Sequence, residues 1–286
     1  MGCRSLSEIV LPSSVTSIGN HAFCGCISLS DIVIPTSITS IGNRAFNGCS
    51  SLSDIVIPSS VTSIGDCAFL GCSSLKYISI PKSVICLNGN PIADWDGKLE
   101  CLSPNFIYED DVLFNKDKSK IISFKNQNIE SYVIPTGIIN IGNSAFLGCR
   151  SLSKIVIPSS VTSIGSDAFW ECHSLSDIVI PSSVTSMGSG AFWECRSLSD
   201  IVIPSSVTSI GDSAFSGCDS LSEIVIPSSV TCIDDGAFWG CSSLSDIVIP
   251  SSVTSIGDSA FIGCNFPDNL KQELITRFGN KIFKNL

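Results

Sequence analysis

The sequence SLSDIVIPSSVTSIG occurs without a change at residues 51–65, 197–211 and 243–257. It belongs to a 23-residue unit that recurs along most of the chain. Its proline, for example, falls at positions 12, 35, 58, 81, 135, 158, 181, 204, 227 and 250. A fixed period of this length is typical of solenoids, in which each turn of chain buries its apolar side against the next turn. The repeat predicts about eleven such coils.

Residues 29–51 show how one coil is expected to fold. Residues 31–34 alternate as a short strand does, with the two isoleucines inward and Asp and Val outward. Pro35 has no N–H group and ends the strand, and Gly42 is expected to let the backbone bend. Ala45-Phe46 begins a short 3₁₀-like or helical segment that places one ring in the core. The unit therefore predicts a parallel β-sheet on one face and short helical segments opposite.

The combined pattern LxxIxIPxxVxxIGxxAFxxC resembles the BspA-type leucine-rich repeat, also called the Treponema-type repeat. The resemblance covers residues 3–87 and 131–264, roughly. It implies a right-handed leucine-rich-repeat superhelix that binds a protein or matrix ligand, often at the surface of bacteria or parasitic protists. It implies no catalytic residue.

Two segments depart from the period. Residues 88–131, here called the island, are predicted to hold a degenerate coil and a β-hairpin insertion. The hairpin text also resembles a segment that recurs between repeat blocks of the family, with Asp111 in place of the usual Gly. Residues 265–286 predict a C-terminal capping helix, because a solenoid needs its open core covered. The predicted domains are a solenoid over 1–264 and this cap.

Ten of the fifteen cysteines occupy one repeat position, namely 3, 26, 49, 72, 149, 172, 195, 218, 241 and 264. Side chains stacked in parallel do not converge as a disulfide requires, so the interpretation is a ladder of reduced, buried cysteines. Some disulfides or a zinc site are the alternatives. The chain has no CxxC pair and two histidines, so neither a metal nor a cofactor is expected.

Composition and charge exclude several classes of protein. A net charge of −10 argues against a nucleic-acid-binding groove, and no run reaches transmembrane length, so no membrane insertion is expected. Without a nucleophile–base pair or a phosphate-binding loop, the chain is not expected to be an enzyme. The opening residues MGCRSLSEIV are repeat sequence and no signal peptide, which favours a natural chain that extends further N-terminally or a trimmed one. The compartment stays open, and only the resemblance implies the cell surface or secretion.

Carboxylates recur on the outward side of the predicted strands, at positions 8, 31, 54, 177, 200, 223 and 246. Asp31, Asp54, Asp177 and Asp200 of this column are candidate ligand-binding residues. The column is either a solvated acidic face or a docking strip for a basic partner. A cation site is a third, weaker hypothesis.

Aromatic residues supply the other candidates. Trp170 and Trp193 follow the repeat Phe in adjacent coils, where they either pack on the flank or form a hot spot for a partner. Trp95, Phe106 and Tyr108 give the island a mixed chemistry that the uniform repeats lack. Heterogeneous chemistry is what selects one partner, so the island is a candidate binding region.

Two functions therefore remain. The first is a protein-binding or adhesion-type module that recognises a protein or extracellular-matrix ligand through the sheet face and the island, with one contact or several. The alternative is a structural spacer or intracellular scaffold with no ligand of its own. The N-terminal coil shows no cap in the sequence, and its open edge gives a route to oligomers.

Overall fold

A computed structural model describes residues 2–284, so Met1 and residues 285–286 of the two predicted domains lie outside the described part. Two compact units are formed, one of Met1–Asn126 with Gly142–Ala145 and the other of Gln127–Ile141 with Phe146–Leu286. Both consist of stacked parallel β-coils, and together they contain about eleven. The predicted fold class is confirmed. The predicted domain boundary at 264 stays a prediction.

Most coils present a short strand on one side, which we call a face strand, and residues 54–56 and 246–248 take the same place without forming a named strand. The first and third residues of the strand point outward and the second, most often Ile, points into the core, as in the eBe pattern of Asp31–Val33. Neighbouring face strands pair in parallel, in register with the 23-residue period. The face strands are Glu8–Val10, Asp31–Val33, Tyr77–Ile80, Lys98–Cys101, Ser131–Val133, Lys154–Val156, Asp177–Val179, Asp200–Val202 and Glu223–Val225.

A second set of strands, two residues long, follows the proline and was not predicted. These corner strands also pair in parallel from coil to coil and bury one apolar side chain each. Two residues are too few for alternation to reveal a strand in the sequence. The corner strands are Ser17–Ile18, Ser40–Ile41, Ser63–Ile64, Cys86–Leu87, Asn140–Ile141, Ser163–Ile164, Ser186–Met187, Ser209–Ile210, Cys232–Ile233 and Ser255–Ile256.

The Ala-Phe segment forms consecutive turns with 3₁₀-like hydrogen bonds but no helix. Cys49 N–H, for example, donates to the Phe46 carbonyl three residues earlier at 3.0 Å. Alternate amides point instead to the next coil, where Phe46 N–H donates to the Ala68 carbonyl at 2.8 Å. Backbone hydrogen bonds therefore join neighbouring coils along three lines: the face strands, the corner strands and these turns.

The phenylalanine predicted for each core forms a stack. Ring centroids of successive residues lie 5.2 to 5.6 Å apart with nearly parallel planes, as between Phe192 and Phe215. Both of these rings are fully buried. Burial of a ring this size is a large apolar contribution to stability, and each ring is shared by two coil interfaces.

The cysteine ladder is buried and reduced. All fifteen cysteines are free, and nine of the ten ladder positions are buried, while Cys3 is exposed. The sequence did not predict the hydrogen bonds that the thiols make. At least seven of them donate to the carbonyl of a Phe in the preceding coil, as Cys195 Sγ does to Phe169 O at 3.2 Å. Burial raises the pKa of Cys49 and of Cys241 to about 12.

The glycine of the Ile-Gly pair is needed for space and not for its conformational freedom. A Cβ atom on Gly42 would lie 2.6 Å from the backbone nitrogen of Asn20 in the preceding coil, closer than atoms can approach. Beside this contact the Asn20 carboxamide oxygen accepts a hydrogen bond from Asn43 N–H at 2.8 Å. An Asn43–Asp66 step repeats it at 2.9 Å, so Asn and Asp form a second ladder.

The island contains a coil and an antiparallel insertion, as predicted. Lys98–Cys101 extends the face sheet by pairing in parallel with Tyr77–Ile80. Three antiparallel strands follow, with the middle one paired to both others. Their bounds are Phe106–Glu109, Val112–Asn115 and Lys120–Phe124. Asp110 and Asp111 have φ of 48° and 60°, so Asp111 keeps the left-handed conformation that Gly would take in this turn.

The predicted C-terminal cap is an α-helix, Asp268–Phe278, followed by a 3₁₀ helix, Asn280–Phe283. Gly279 ends the first helix with φ of 83°, a conformation that favours glycine at helix ends. The ring of Phe283 lies 6.0 Å from that of Phe261, the last member of the Phe stack. This segment therefore covers the end of the stack.

Changing Phe192 to Ala is expected to lower the free energy of unfolding by about 3–5 kcal/mol, because the ring is fully buried and leaves a cavity on both sides of its coil. Denaturant unfolding followed by circular dichroism measures the loss. The control is Val202→Ala, which alters an exposed side chain in the next coil. A loss under about 1 kcal/mol for Phe192→Ala would show that the stack contributes little.

Native protein is expected to react quickly with a thiol reagent at Cys3 and Cys86, the exposed cysteines, and slowly at the buried ladder. The thiolate is the reactive form, and burial both excludes the reagent and raises the thiol pKa. Mass spectrometry of labelled peptides locates the reacted sites, and titration in denaturant should recover all fifteen thiols. Fast labelling of Cys195 or Cys218 in the native protein would contradict the buried ladder.

Candidate binding surfaces

The outward side of the face strands, which we call the face, carries two parallel columns. The first residue of each strand gives a column rich in carboxylates, with Glu8 paired to Asp31 and Asp200 paired to Glu223 in register. The third residue gives a column of valine. Both columns step by one coil, about 4.8 Å for paired strands. The sequence predicted that both residues point outward, but only the acidic column was identified as a candidate binding surface.

The valines of the face are largely exposed. In the C-terminal unit they occupy six successive coils. Relative exposures there run from 43% at Val156 to 77% at Val248, and Val10 of the N-terminal unit reaches 88%. The full column consists of Val10, Val33, Val56, Val133, Val156, Val179, Val202, Val225 and Val248. A contiguous exposed apolar surface on a protein is typical of a docking site.

The carboxylates beside these valines are mostly uncompensated. Lys154 forms an ion pair with Asp177 at 2.6 Å, whereas Asp200, Glu223 and Asp246 form none with the residues that the structure describes. Shallow grooves of about 460 and 360 Å³ run between neighbouring coils along this part of the face. The structure thus places Asp31 and Asp54 of the candidate set on one unit's face, and Asp177 and Asp200 on the other's.

Where the face reaches the island, its chemistry changes. Tyr77 replaces the usual Asp, and its hydroxyl donates to the Glu100 carboxylate at 2.5 Å. Ser79 donates to the same oxygen at 3.0 Å. The Tyr77 hydrogen bond is the largest cause that lowers the pKa of Glu100, and it raises the pKa of Tyr77. This patch is polar and hydrogen-bonded where the repeats are simply apolar and acidic.

Trp95 is a core residue, so its predicted place on a binding surface is wrong. The side chain is 3% exposed, and its indole N–H donates to the Leu75 carbonyl at 2.7 Å. An indole can be buried at little cost when its N–H finds such a partner. Lys125 lies over Trp95 at 4.9 Å and over Tyr108 at 5.9 Å, and burial lowers its pKa. Phe106 and Tyr108 are half-buried and stay accessible.

Trp170 and Trp193 are brought together on the turn side of the second unit. Their rings stack at 4.8 Å with a 7° angle between planes, and both are half-buried. Glu171 and Glu194 follow them with φ of 58° and 56°, at a position where neighbouring coils use Gly. Arg150 pairs with Glu171, and Arg196 pairs with Glu194 at 2.7 Å. A left-handed Glu is strained, and such strain is typical of functional positions.

A buried polar cluster in the first unit was not predicted. The Asp66 carboxylate accepts hydrogen bonds from Ser144 Oγ at 3.0 Å and Asn90 N–H at 2.7 Å. Cys67 Sγ donates to Ser144 Oγ at 3.4 Å, and the Asn90 amide donates to the Ser144 carbonyl at 2.8 Å. Burial raises the pKa of Asp66 despite these bonds. The cluster joins residues from before, within and after the island; Asn90 and Ser144 are buried, and Asp66 is half-buried.

Among residues 2–284, no cluster of three or more His, Cys, Asp or Glu is placed to hold a metal ion. Across the same part of the chain, none of the helices combines the length and the apolar composition that a membrane span requires.

The coil pattern can now be compared with known families. The model of the BspA-type leucine-rich repeat region matches residues 1–98, 120–244 and 169–286, in six copies. The chain belongs to the BspA-type leucine-rich repeat family. The resemblance found in the sequence is confirmed. Leucine-rich repeats of this family commonly mediate protein binding or adhesion.

Solved leucine-rich repeat proteins of bacteria share the architecture. A leucine-rich repeat protein from Eubacterium ventriosum is 28% identical, with coverage of 92% of this chain and 84% of that one and a TM-score of 0.66. A leucine-rich cell surface protein from Faecalibacterium prausnitzii is 28% identical, covering 98% and 82%, with a TM-score of 0.52. The pneumococcal vaccine antigen PcpA, at 21% identity, 98% and 80% coverage and a TM-score of 0.55, shares the fold alone. No curated protein gives a significant match.

Changing Asp66 to Asn is expected to stabilise the chain at neutral pH. A folded-state pKa above the unfolded value means that the folded state binds more protons. The stability that this group contributes is then fully present below the unfolded pKa of about 3.9 and is lost as pH rises through the folded pKa. The gain from Asp66→Asn should therefore be largest near pH 7 and shrink below about pH 4.

Denaturant unfolding between pH 3 and pH 8, roughly, measures this difference. Asp54→Asn, which removes an exposed carboxylate on the face of the same coil, is the matched control. If Asp66→Asn were less stable than the parent protein at pH 7, the hydrogen bonds to the carboxylate would outweigh the cost of its burial.

Proposed function

We propose that this chain is a protein-binding module whose face recognises a protein or extracellular-matrix ligand. The observation that carries the proposal is the column of exposed valines beside uncompensated carboxylates. An apolar stripe supplies contact area, and the charges flanking it favour a basic partner.

Strand propensity alone does not account for the valines. Threonine is also β-branched and also suits strands, and the chain uses it at another exposed column. Thr162, Thr185 and Thr231 are exposed there, and their hydroxyls donate to carbonyls one coil earlier. The chain thus has a polar Thr column and an apolar Val column, both facing solvent. We take the Thr column as a surface that stays hydrated and the Val column as a surface that contacts a partner.

The acidic column is expected to steer the partner more than to hold it. Like charges stacked at the spacing of paired strands repel one another, so a cationic partner relieves that repulsion as it approaches. Interactions of exposed charges are screened by salt. Their effect therefore belongs mainly to the association rate and its salt dependence.

The island supports selectivity. Lys98–Cys101 continues the face sheet of the first unit, and its outward residues differ from those of the repeats. Phe106 and Tyr108 lie on the following strand and are half-exposed. Aromatic side chains of this kind often dominate binding energy. We therefore include them, with Asp31 and Asp54, in the surface proposed for ligand contact.

We propose, as part of the same function, that the protein is located at the cell surface. The protein from Faecalibacterium prausnitzii, similar over 98% of this chain, is described as a cell surface protein. At that location the ligand would be an extracellular-matrix protein or a host protein. Repetition of one contact along the coils also suits an extended ligand, because linked weak contacts add as avidity.

The proposal is tested by binding of the intact chain to a panel of immobilised, purified extracellular-matrix proteins. For any ligand bound, a variant with Val179, Val202 and Val225 all changed to Thr should weaken binding by about tenfold or more, since the exposed methyl groups are replaced by hydroxyls. Changing Phe106 and Tyr108, which are half-buried on the island, to Ala should weaken binding by a similar factor, about tenfold. Biolayer interferometry at low and high salt measures both.

The matched control carries Thr185, Thr208 and Thr231 changed to Ser, which alters another exposed column of the same unit. Its affinity should equal that of the parent chain. If the valine variant and the aromatic variant both bound as tightly as the parent chain, the face and the island would be removed from the site. Absence of binding to every protein of the panel would favour the structural spacer.

A further inference from the structure

A column of indoles on the turn side of the second unit has a gap. The residue after the repeat Phe is Trp170, Trp193, Ser216 and Trp239 in four successive coils. Trp170 and Trp193 stack at 4.8 Å. In the third coil Ser216 is small and 2% exposed, and in the fourth Trp239 is 48% exposed. One ring is therefore missing between two tryptophans.

The two tryptophans that flank the gap, Trp193 and Trp239, are held by the same local backbone conformation. Trp193 N–H donates to the Gly190 carbonyl at 2.9 Å, and Trp239 N–H donates to the Gly236 carbonyl at 2.9 Å. The two glycines are left-handed, with φ of 63° and 60°. The intervening coil has Ser213 at this position, in the same conformation. The coils thus repeat one geometry and differ in whether they carry a ring.

The width of the gap suits one planar group. Successive core rings beneath it step by 5.5 and 5.6 Å, from Phe192 to Phe215 to Phe238. A group at the level of Ser216 therefore lies about 5.5 Å from each wall, inside the roughly 6 Å within which a cation is attracted to an aromatic face. The space is a cleft of about 550 Å³ lined by both indoles, with Ser213 and Ser216 between them.

The charge of the cleft selects a cation. Asp212, Asp235 and Asp258 line one side of it. Lys281 neutralises Asp258 at 3.0 Å. Asp212 and Asp235 are exposed and form no ion pair within residues 2–284, although each accepts one backbone N–H from the next coil. Two carboxylates therefore remain to meet a ligand.

We infer that the cleft between Trp193 and Trp239 binds an arginine side chain of a protein partner. The guanidinium is planar, permanently charged and weakly hydrated, and it stacks on aromatic faces while its N–H groups donate to carboxylates. It takes the level of Ser216, between the two indoles, and donates to Asp212 and Asp235. This site lies on the turn side of the coil and does not depend on the valine face.

The test titrates the intact chain with an acetylated, amidated Gly-Ser-Arg-Ser-Gly peptide and follows the indole N–H signals by NMR. A single side chain is expected to bind with a Kd of about 1 mM. The same peptide with citrulline, which is planar but neutral, should bind about tenfold more weakly, and a tyrosine peptide should also be weaker.

Three variants locate the site. Trp239→Leu removes one wall, Asp235→Asn removes one charge, and Ser216→Trp fills the gap with the ring that the neighbouring coils carry. Each should weaken arginine binding by about fivefold or more. Thermal unfolding verifies that each variant is folded, and if Ser216→Trp is not, the other two decide the question.

The control is the variant with Val179, Val202 and Val225 changed to Thr, which should bind the arginine peptide as the parent chain does. That result keeps a failure of this site separate from a failure of the proposed face. Equal binding of arginine and citrulline, full binding by Trp239→Leu and Asp235→Asn, or no arginine binding up to about 20 mM would each overturn the inference.

Discussion

Close approach of neighbouring coils is the constraint on which the rest of the structure depends. Three lines of backbone hydrogen bonds hold the coils together, and a Cβ atom on Gly65 would lie 2.3 Å from the nitrogen of Asn43 in the coil before it. At this spacing a side chain packs directly on the residue at the same repeat position of the neighbouring coil. The chain therefore uses residues that gain from self-stacking: Phe rings in the core, cysteines whose thiols reach a carbonyl, and an Asn and Asp ladder beside the glycine.

The same constraint makes departures from the repeat informative. Glu171 and Glu194 take the left-handed conformation that glycine adopts in neighbouring coils, at a cost of roughly 1–2 kcal/mol each. Ser216 interrupts a column of indoles, and where the face reaches the island Tyr77 and Glu100 replace its valines and aspartates. The repeat is regular enough to be identical in three places, so the positions that depart from it stand out. Those positions are candidates for specific recognition.

The sequence was sufficient for most features that recur with the period, namely the face strands with their inward isoleucines, the Phe stack and the buried cysteines. It also predicted the C-terminal helix, Asp268–Phe278. The corner strands recur with the period too, but two residues are too few to show alternation. Burial of Trp95 and the cluster of Asp66, Asn90 and Ser144 depend on contacts where the island interrupts the repeat, and the sequence did not predict them. Exposure of the valine column was visible in the alternation but was not recognised as a surface.

Burial of the cysteine ladder affects how the chain behaves in an oxidising compartment. Oxidation and disulfide exchange require an accessible thiolate, and extracellular compartments promote both. Nine ladder cysteines are enclosed within the coils, and burial raises the pKa of thiols such as Cys195 and Cys218. The ladder of such a chain therefore tolerates an oxidising environment without forming cross-links, whereas Cys3 and Cys86 stay accessible to oxidants.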